Sequence, residues 1–263
     1  MNRRLAIWLA TGAIAAGSAA ADEVASYRGQ GDAARLFEQY DNDGYSLAVL
    51  PGGEGIVELS VRVSDSPLES RAPFPTGLRR ETLSPAPDRD AFASRLVAGA
   101  TTQTDAVERI LSGLAAFVRY DPDRVRRQEP SAVFAERRAN CVGLSELAVD
   151  LLRRVAISAR TVQGVLRTEP GSSSYDAAIG GAYHRWIEVH YPDRGYVFSD
   201  PSASVNGVDA RYLPFSRRAY VRPRDLRLTP LTFTGLLAYR PIRAGRARLL
   251  LRPTEPGTGN GNR

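Results

Sequence analysis

Apolar positions change period along the chain. Val57, Leu59, Val61 and Val63 alternate with Glu58, Ser60 and Arg62, the two-residue period of a strand with one buried face. With Ser46–Leu50 before it and the turn Pro51-Gly52-Gly53-Glu54-Gly55 between, the pattern predicts a β-hairpin. Over Thr101–Tyr120 the period lengthens. Val107, Ile110, Leu111, Leu114, Phe117 and Val118 share one helical face, and Thr102 with Asp105 three residues later marks the start. A second helix begins at Asn140 or Cys141, with an apolar stripe of Leu144, Leu147, Ala148, Leu151, Leu152 and Val155. Strand patterns follow at Thr161–Leu166, His184–Tyr191 and Gly195–Ser199, the last two joined by Pro192-Asp193-Arg194. Alternation returns at Ala219–Leu228 and Ala247–Leu251. Helices and then a run of strands predict an α+β fold with an antiparallel sheet.

The connecting segments divide the chain. Met1–Ala21 has a basic start at Arg3 and Arg4, an apolar stretch from Leu5 to Ala16 and small residues Ala19-Ala20-Ala21 before Asp22, the pattern of a secretory signal. The mature protein is therefore expected to be exported, periplasmic or secreted, and no later segment is apolar and long enough to be a stable transmembrane segment. Asp22–Asp43 is polar and expected to be loosely ordered. Ser64–Asp90 is rich in proline and reads as a linker. The expected organisation is a signal segment over 1–21, an N-terminal hairpin region and linker over 22–98, a core over 99–205, basic strands over 206–252 and a disordered tail over 253–263. Arg167–Ala182, Gly- and Ser-rich, is long enough to serve as a flap.

Composition narrows the chemistry. Cys141 is the single cysteine, which excludes an intrachain disulfide and every multi-cysteine metal site. All 35 basic residues are arginine, which excludes lysine-based mechanisms. With two histidines and no H-x-x-x-H spacing, neither a metal nor an organic cofactor is expected. Charge is uneven: Arg211–Arg252 holds 11 Arg and one acid, Asp225, a net +10 within a chain of +6. That stretch either faces an anionic envelope surface or complements the acidic body of the same molecule. Nucleic acid is not an expected partner, since no binding motif is present.

The candidate chemistry lies between Arg137 and Ser202. Asn140 is a good N-cap, so Cys141 stands at a helix N-terminus, where free N–H groups and the helix dipole favour thiolate. His184 opens a strand and Asp200 closes the next one across a short hairpin, which brings carboxylate and imidazole within reach. Asp200 can then orient His184, leaving its second nitrogen for the thiol proton. A lone cysteine on an apolar helix face is by itself more often a small core residue. The ordered histidine and aspartate shift the reading to a nucleophile. His190 lies on the same strand face without a matching partner. Trp186 is a cleft wall or a core aromatic, and Glu188 is a structural group for an arginine.

These residues resemble the transglutaminase-like superfamily, whose members share a papain-like cysteine-centred fold. The matching pieces are Cys141-Val142-Gly143-Leu144-Ser145-Glu146-Leu147, Ala156-Ile157-Ser158-Ala159-Arg160-Thr161-Val162-Gln163-Gly164, His184-Arg185-Trp186-Ile187-Glu188-Val189 and Phe198-Ser199-Asp200-Pro201. Ala156 stands where a glycine is usual. The resemblance implies Cys141 as nucleophile, His184 as general base and acid, Asp200 as its orienter, and an upstream oxyanion donor, for which Gln128 is the candidate. It also implies an enzyme acting on peptide or protein substrates by acyl transfer; hydrolysis is expected rather than crosslinking because nothing in the sequence identifies an amine site. The alternative is a catalytically idle relative that binds peptide or cell-wall material.

Overall fold

The computed structural model describes residues 22–64, 68–75, 83–122, 127–172, 174–217 and 225–234. The signal segment, Ala247–Leu251 and the tail lie outside the described residues. In chain order the elements are β1 (Glu23–Gly31), α1 (Ala33–Leu36), β2 (Tyr40–Asn42), β3 (Tyr45–Gly53), β4 (Ile56–Val63), α2 (Pro87–Leu96), α3 (Gln103–Phe117) and β5 (Arg119–Tyr120). They continue with α4 (Pro130–Glu136), β6 (Arg138–Ala139), α5 (Cys141–Arg154), β7 (Ala159–Arg167), β8 (Gly181–Tyr191), β9 (Gly195–Ser199), β10 (Tyr212–Pro214) and β11 (Leu226–Thr234).

The strands form a five-stranded antiparallel sheet, β11-β1-β4-β3-β2, and a four-stranded antiparallel sheet, β10-β7-β8-β9. A short parallel pair, β5 with β6, stands apart. The α+β class with an antiparallel sheet is borne out. So is the start of α3, where the Thr102 side chain accepts the Asp105 N–H at 3.2 Å.

Two cores meet across the four-stranded sheet. On one face, Ile187, Val189 and Tyr191 pack with Val107, Ile110 and Leu114 of α3 and Leu147 and Leu151 of α5. On the other, Trp186, Phe198 and Tyr212 pack with Tyr27, Tyr45, Leu47 and Leu59 of the five-stranded sheet. β8 thus lies between two apolar layers, each fully buried leucine there contributing roughly 1.5–3 kcal/mol.

Two expectations change, and the terminal strands prove to be neighbours. Asp22–Asp43 is ordered as β1, α1 and β2. The buried positions of β1 are Ala25, Tyr27 and Gly29, a two-residue period carried by small and amphipathic residues, so it does not read as hydrophobic. The N-terminal and C-terminal strands share one sheet through β1 and β11. The stretch 168–180 is not free along its whole length: Ile179 is buried, and the Leu228 N–H donates to the Ala178 carbonyl at 3.1 Å. Ala156, in the turn after α5, has φ +61, the left-handed region that explains why glycine suits this position.

Candidate active site

Cys141 is the first residue of α5, and the turn around it is built by two carboxamides. Asn140 has an extended backbone, and its side chain accepts the Val142 N–H at 2.9 Å. Gln128 Oε1 accepts the N–H groups of Gly143 at 3.0 Å and Asn140 at 3.2 Å. A side chain at position 143 would put its Cβ 2.4 Å from Gln128 Oε1 and 2.8 Å from Val133, so only glycine admits Gln128 this close. The thiol therefore sits at the positive end of a 14-residue helix.

The strand opposite is shaped by where β9 stops. Pairing of β8 with β9 runs from Tyr191 opposite Gly195 to Ile187 opposite Ser199, and beyond that Arg185 has no β9 residue facing it. Its backbone groups are taken up by α5 instead. Ser145 Oγ, one turn from Cys141, donates to the Arg185 carbonyl at 3.0 Å, and the Arg185 backbone lies beside the Cys141 thiol and favours its charged form. Arg185 Nη1 adds an ion pair to Glu146 at 2.7 Å.

The residue after β9 is Asp200, whose carboxylate is divided between two tasks. Oδ1 accepts the N–H of Ser202 at 2.8 Å and its hydroxyl at 2.7 Å, the local turn expected of Asp-Pro-Ser. Oδ2 faces His184 Nε2 at 2.6 Å and accepts the Tyr212 hydroxyl at 2.8 Å. With Nε2 committed to Asp200, the second nitrogen of His184 is left for Cys141, which lies beside the ring.

Charge follows this geometry. Burial pushes the Cys141 thiol up, but the hydrogen bond and charge of His184, with the Arg185 backbone, outweigh it and hold the thiol below its ordinary value. Burial pushes His184 down, whereas the charge and hydrogen bond of Asp200 and then of Cys141 raise it to about 10. Burial likewise works against the Asp200 carboxylate, and the His184 charge with the Ser202 donors holds it below the usual range. The arrangement favours thiolate, imidazolium and carboxylate in sequence, the state from which a thiol attacks a carbonyl.

The structure brings Cys141, His184 and Asp200 together and sets Gln128 across the same helix turn. Trp186 requires a correction as a cleft wall: it is fully buried, stacked 6.1 Å from the His184 ring and edge-on to Phe198 and Tyr212. It faces the five-stranded sheet because it alternates with Ile187, and so forms a floor beneath the imidazole. His190 is remote, its ring packed 5.1 Å from Tyr196. Glu188 is fully buried with Arg160 and Arg217. Sequence reasoning missed Ser145, Ser202 and Tyr212. The Asp200-Pro201-Ser202 run carries a local signal for Ser202, whereas Tyr212 reaches Asp200 only through sheet packing.

Residues 90–201 match the model of the transglutaminase-like superfamily. Among solved structures, a candidate cysteine protease from Cytophaga hutchinsonii is 12% identical, with 81% of this chain and 87% of that chain covered and a TM-score of 0.42. The periplasmic domain of TgpA from Pseudomonas aeruginosa is 14% identical, with 70% and 88% covered and a TM-score of 0.38. A TGase is 13% identical over 68% of this chain and 49% of its own length, with a TM-score of 0.36. No curated protein matches the chain. The segment that carries Cys141, His184 and Asp200 is thus the part of the chain that is similar to the transglutaminase-like superfamily, over residues 90–201.

Proposed function

We propose that this protein is an exported cysteine-dependent acyl-transfer enzyme that hydrolyses peptide or side-chain amide bonds. The observation that carries the reading is the placement of Cys141 beside His184, whose Nε2 is hydrogen-bonded to a fully buried Asp200. The Cys141 thiolate adds to the amide carbonyl. The backbone N–H of Cys141 and the Gln128 amide N–H₂ are the groups we assign to the developing oxyanion; the Gln128 carbonyl oxygen is held by Gly143 and Asn140, which fixes the plane of the amide. His184 then gives its proton to the departing amine as the C–N bond breaks, leaving a thioacyl enzyme. Water, losing a proton to His184, adds to the thioester and releases the acid and the thiolate. Water is assigned as the acceptor because no sequence feature marks an amine site. Export rests on Met1–Ala21.

The test is the pH dependence of Cys141 alkylation by iodoacetamide in folded protein, followed by assays for peptide hydrolysis and for incorporation of a fluorescent amine. With one cysteine in the chain the signal has a single source. The expected midpoint lies well below the free-thiol value of about 8.5 and rises in His184→Ala. A midpoint near 8.5 that ignores His184 would remove the mechanism, and amine incorporation exceeding hydrolysis would reassign the acceptor.

A further inference from the structure

Three buried tyrosines link the five-stranded sheet to the candidate site. From β1, the Tyr27 hydroxyl donates to the Ala210 carbonyl at 2.9 Å; from β3, the Tyr45 hydroxyl donates to the Tyr212 carbonyl at 2.5 Å. Both acceptors lie in the short run that leads into and forms β10. Tyr212, fully buried in β10, then directs its own hydroxyl to Asp200 Oδ2, the oxygen that also faces His184. Burial, reinforced for Tyr212 by the Asp200 and Asp209 charges, keeps these phenols protonated, so each remains a donor.

Oδ2 is therefore shared between an imidazole and a neutral hydroxyl. Ser202 already pins the other oxygen with two donors, so the carboxylate keeps its orientation without Tyr212. What the phenol adds is partial neutralisation of the charge that pulls on the His184 N–H. The groups facing the imidazole are Cys141 from α5, Asp200 after β9 and Tyr212 from β10. The nearby charges Asp209 and Arg211 bind each other at 2.9 Å.

We infer that Tyr212 is a positioning residue, fixed in place by Tyr45 and the N-terminal sheet, whose hydroxyl takes a share of the Asp200 charge and so moderates the carboxylate's hold on the His184 imidazolium. The inference rests on the Cys141–His184–Asp200 reading. An imidazolium held too strongly keeps its proton when the leaving amine needs it. A moderated one stabilises thiolate and still releases the proton.

Iodoacetamide titration of Cys141 tests this in wild type, Tyr212→Phe, Tyr45→Phe, the double variant and Tyr40→Phe. Loss of the Tyr212 hydroxyl strengthens the His184–Asp200 pair, and the alkylation midpoint moves down by about 0.5 of a pH unit. Tyr45→Phe moves it in the same direction by less and adds nothing in the Tyr212→Phe background. Tyr40→Phe removes a comparably buried hydroxyl from the same sheet, bonded to Glu188 at 2.8 Å, and leaves the midpoint in place. An unchanged midpoint in Tyr212→Phe, or one that moves up toward a free thiol, overturns the inference; the former would mean that Tyr212 acts by packing alone, the latter that its hydroxyl strengthens the His184–Asp200 pair. If Tyr212→Phe does not fold, an unmoved midpoint in Tyr45→Phe overturns it equally. A depressed wild-type midpoint that responds to His184→Ala but not to Tyr212→Phe defeats this inference and leaves the proposed function standing. A wild-type midpoint near 8.5 defeats both.

Discussion

Two carboxylates are buried in or beside the four-stranded sheet, and they lead opposite lives. Glu188, in the middle of β8, is bound through Oε1 to Arg160, while Oε2 takes Tyr40 at 2.8 Å, Asn42 at 3.1 Å and Arg217 at 3.3 Å. Asp200, just past β9, takes as many hydrogen bonds from only three residues, and of these His184 alone is a cation that can give up its proton. Guanidinium groups do not give up their protons in proteins, so the Glu188 cluster cannot move one. It ties β2 to β7 and β8, and the guanidiniums of Arg160 and Arg217 stack on the Tyr196 and Tyr40 rings at 4.1 and 4.6 Å. Asp200 instead holds an imidazole between two protonation states. Burial of charge is common to both; the titratable partner distinguishes a site from a rivet.

The comparison breaks most visibly under substitution. On the proposed function, Cys141→Ala should abolish peptide hydrolysis with little change in urea unfolding, and Asp200→Asn should lower hydrolysis by about 10³-fold or more. Glu188→Gln gives the reverse: about 3 kcal/mol is lost from the unfolding free energy, the low end for breaking a buried pair, because both arginines are partly exposed. The alkylation midpoint of Cys141 stays where it was. Hydrolysis measured beside urea unfolding separates the two patterns, and a Glu188→Gln variant that is stable but inactive would merge them.

A smaller effect appears in stability against pH. His184 is raised in the folded state to about 10, so its contribution is complete below the unfolded value of about 6.5 and lost as pH rises through about 10. Asp200 is depressed, so its contribution is present above about pH 3.9 and lost as pH falls through its folded value. The difference in Tm between wild type and His184→Gln should therefore close between about pH 6.5 and 10. For Glu188→Gln the difference should hold steady across that window, since the guanidiniums of its cluster keep their charge. Thermal melts at half-unit intervals decide it.

The smallest effect belongs to the second imidazole. His190→Ala should change hydrolysis less than about twofold and leave the alkylation midpoint unmoved, as for a substitution outside any specialised contact. A large loss would show that the wrong histidine had been assigned.

Much of the site was legible because its parts are local. The Asn140 cap, the start of α5 at Cys141 and the β8–β9 hairpin all follow from neighbours within a few residues; the hairpin brings imidazole and carboxylate together, and packing of α5 on β8 adds the thiol. The resemblance over Cys141–Leu147 and the three later pieces pointed to the same residues. What stayed hidden depends on distant packing. β1 conceals its period in Ala25, Tyr27 and Gly29, and the depth of Trp186 is set by a sheet that closes around it. Gln128 meets α5 only because Gly143 leaves room. Tyr212 is one of 11 tyrosines with nothing in its vicinity to mark it.

The pairing of β1 with β11 also sets a clock. Ser26 and Thr232, which share a hydrogen bond across that pair, are 206 residues apart. A ribosome covers that interval in about 10–40 s. Throughout it β1 has one edge without its neighbour, and β10, His184 and Asp200 emerge only in the second half. On the proposed function, a thiol that draws its reactivity from residues arriving this late stays an ordinary thiol during synthesis, so the nascent chain and the machinery handling it are spared from its chemistry.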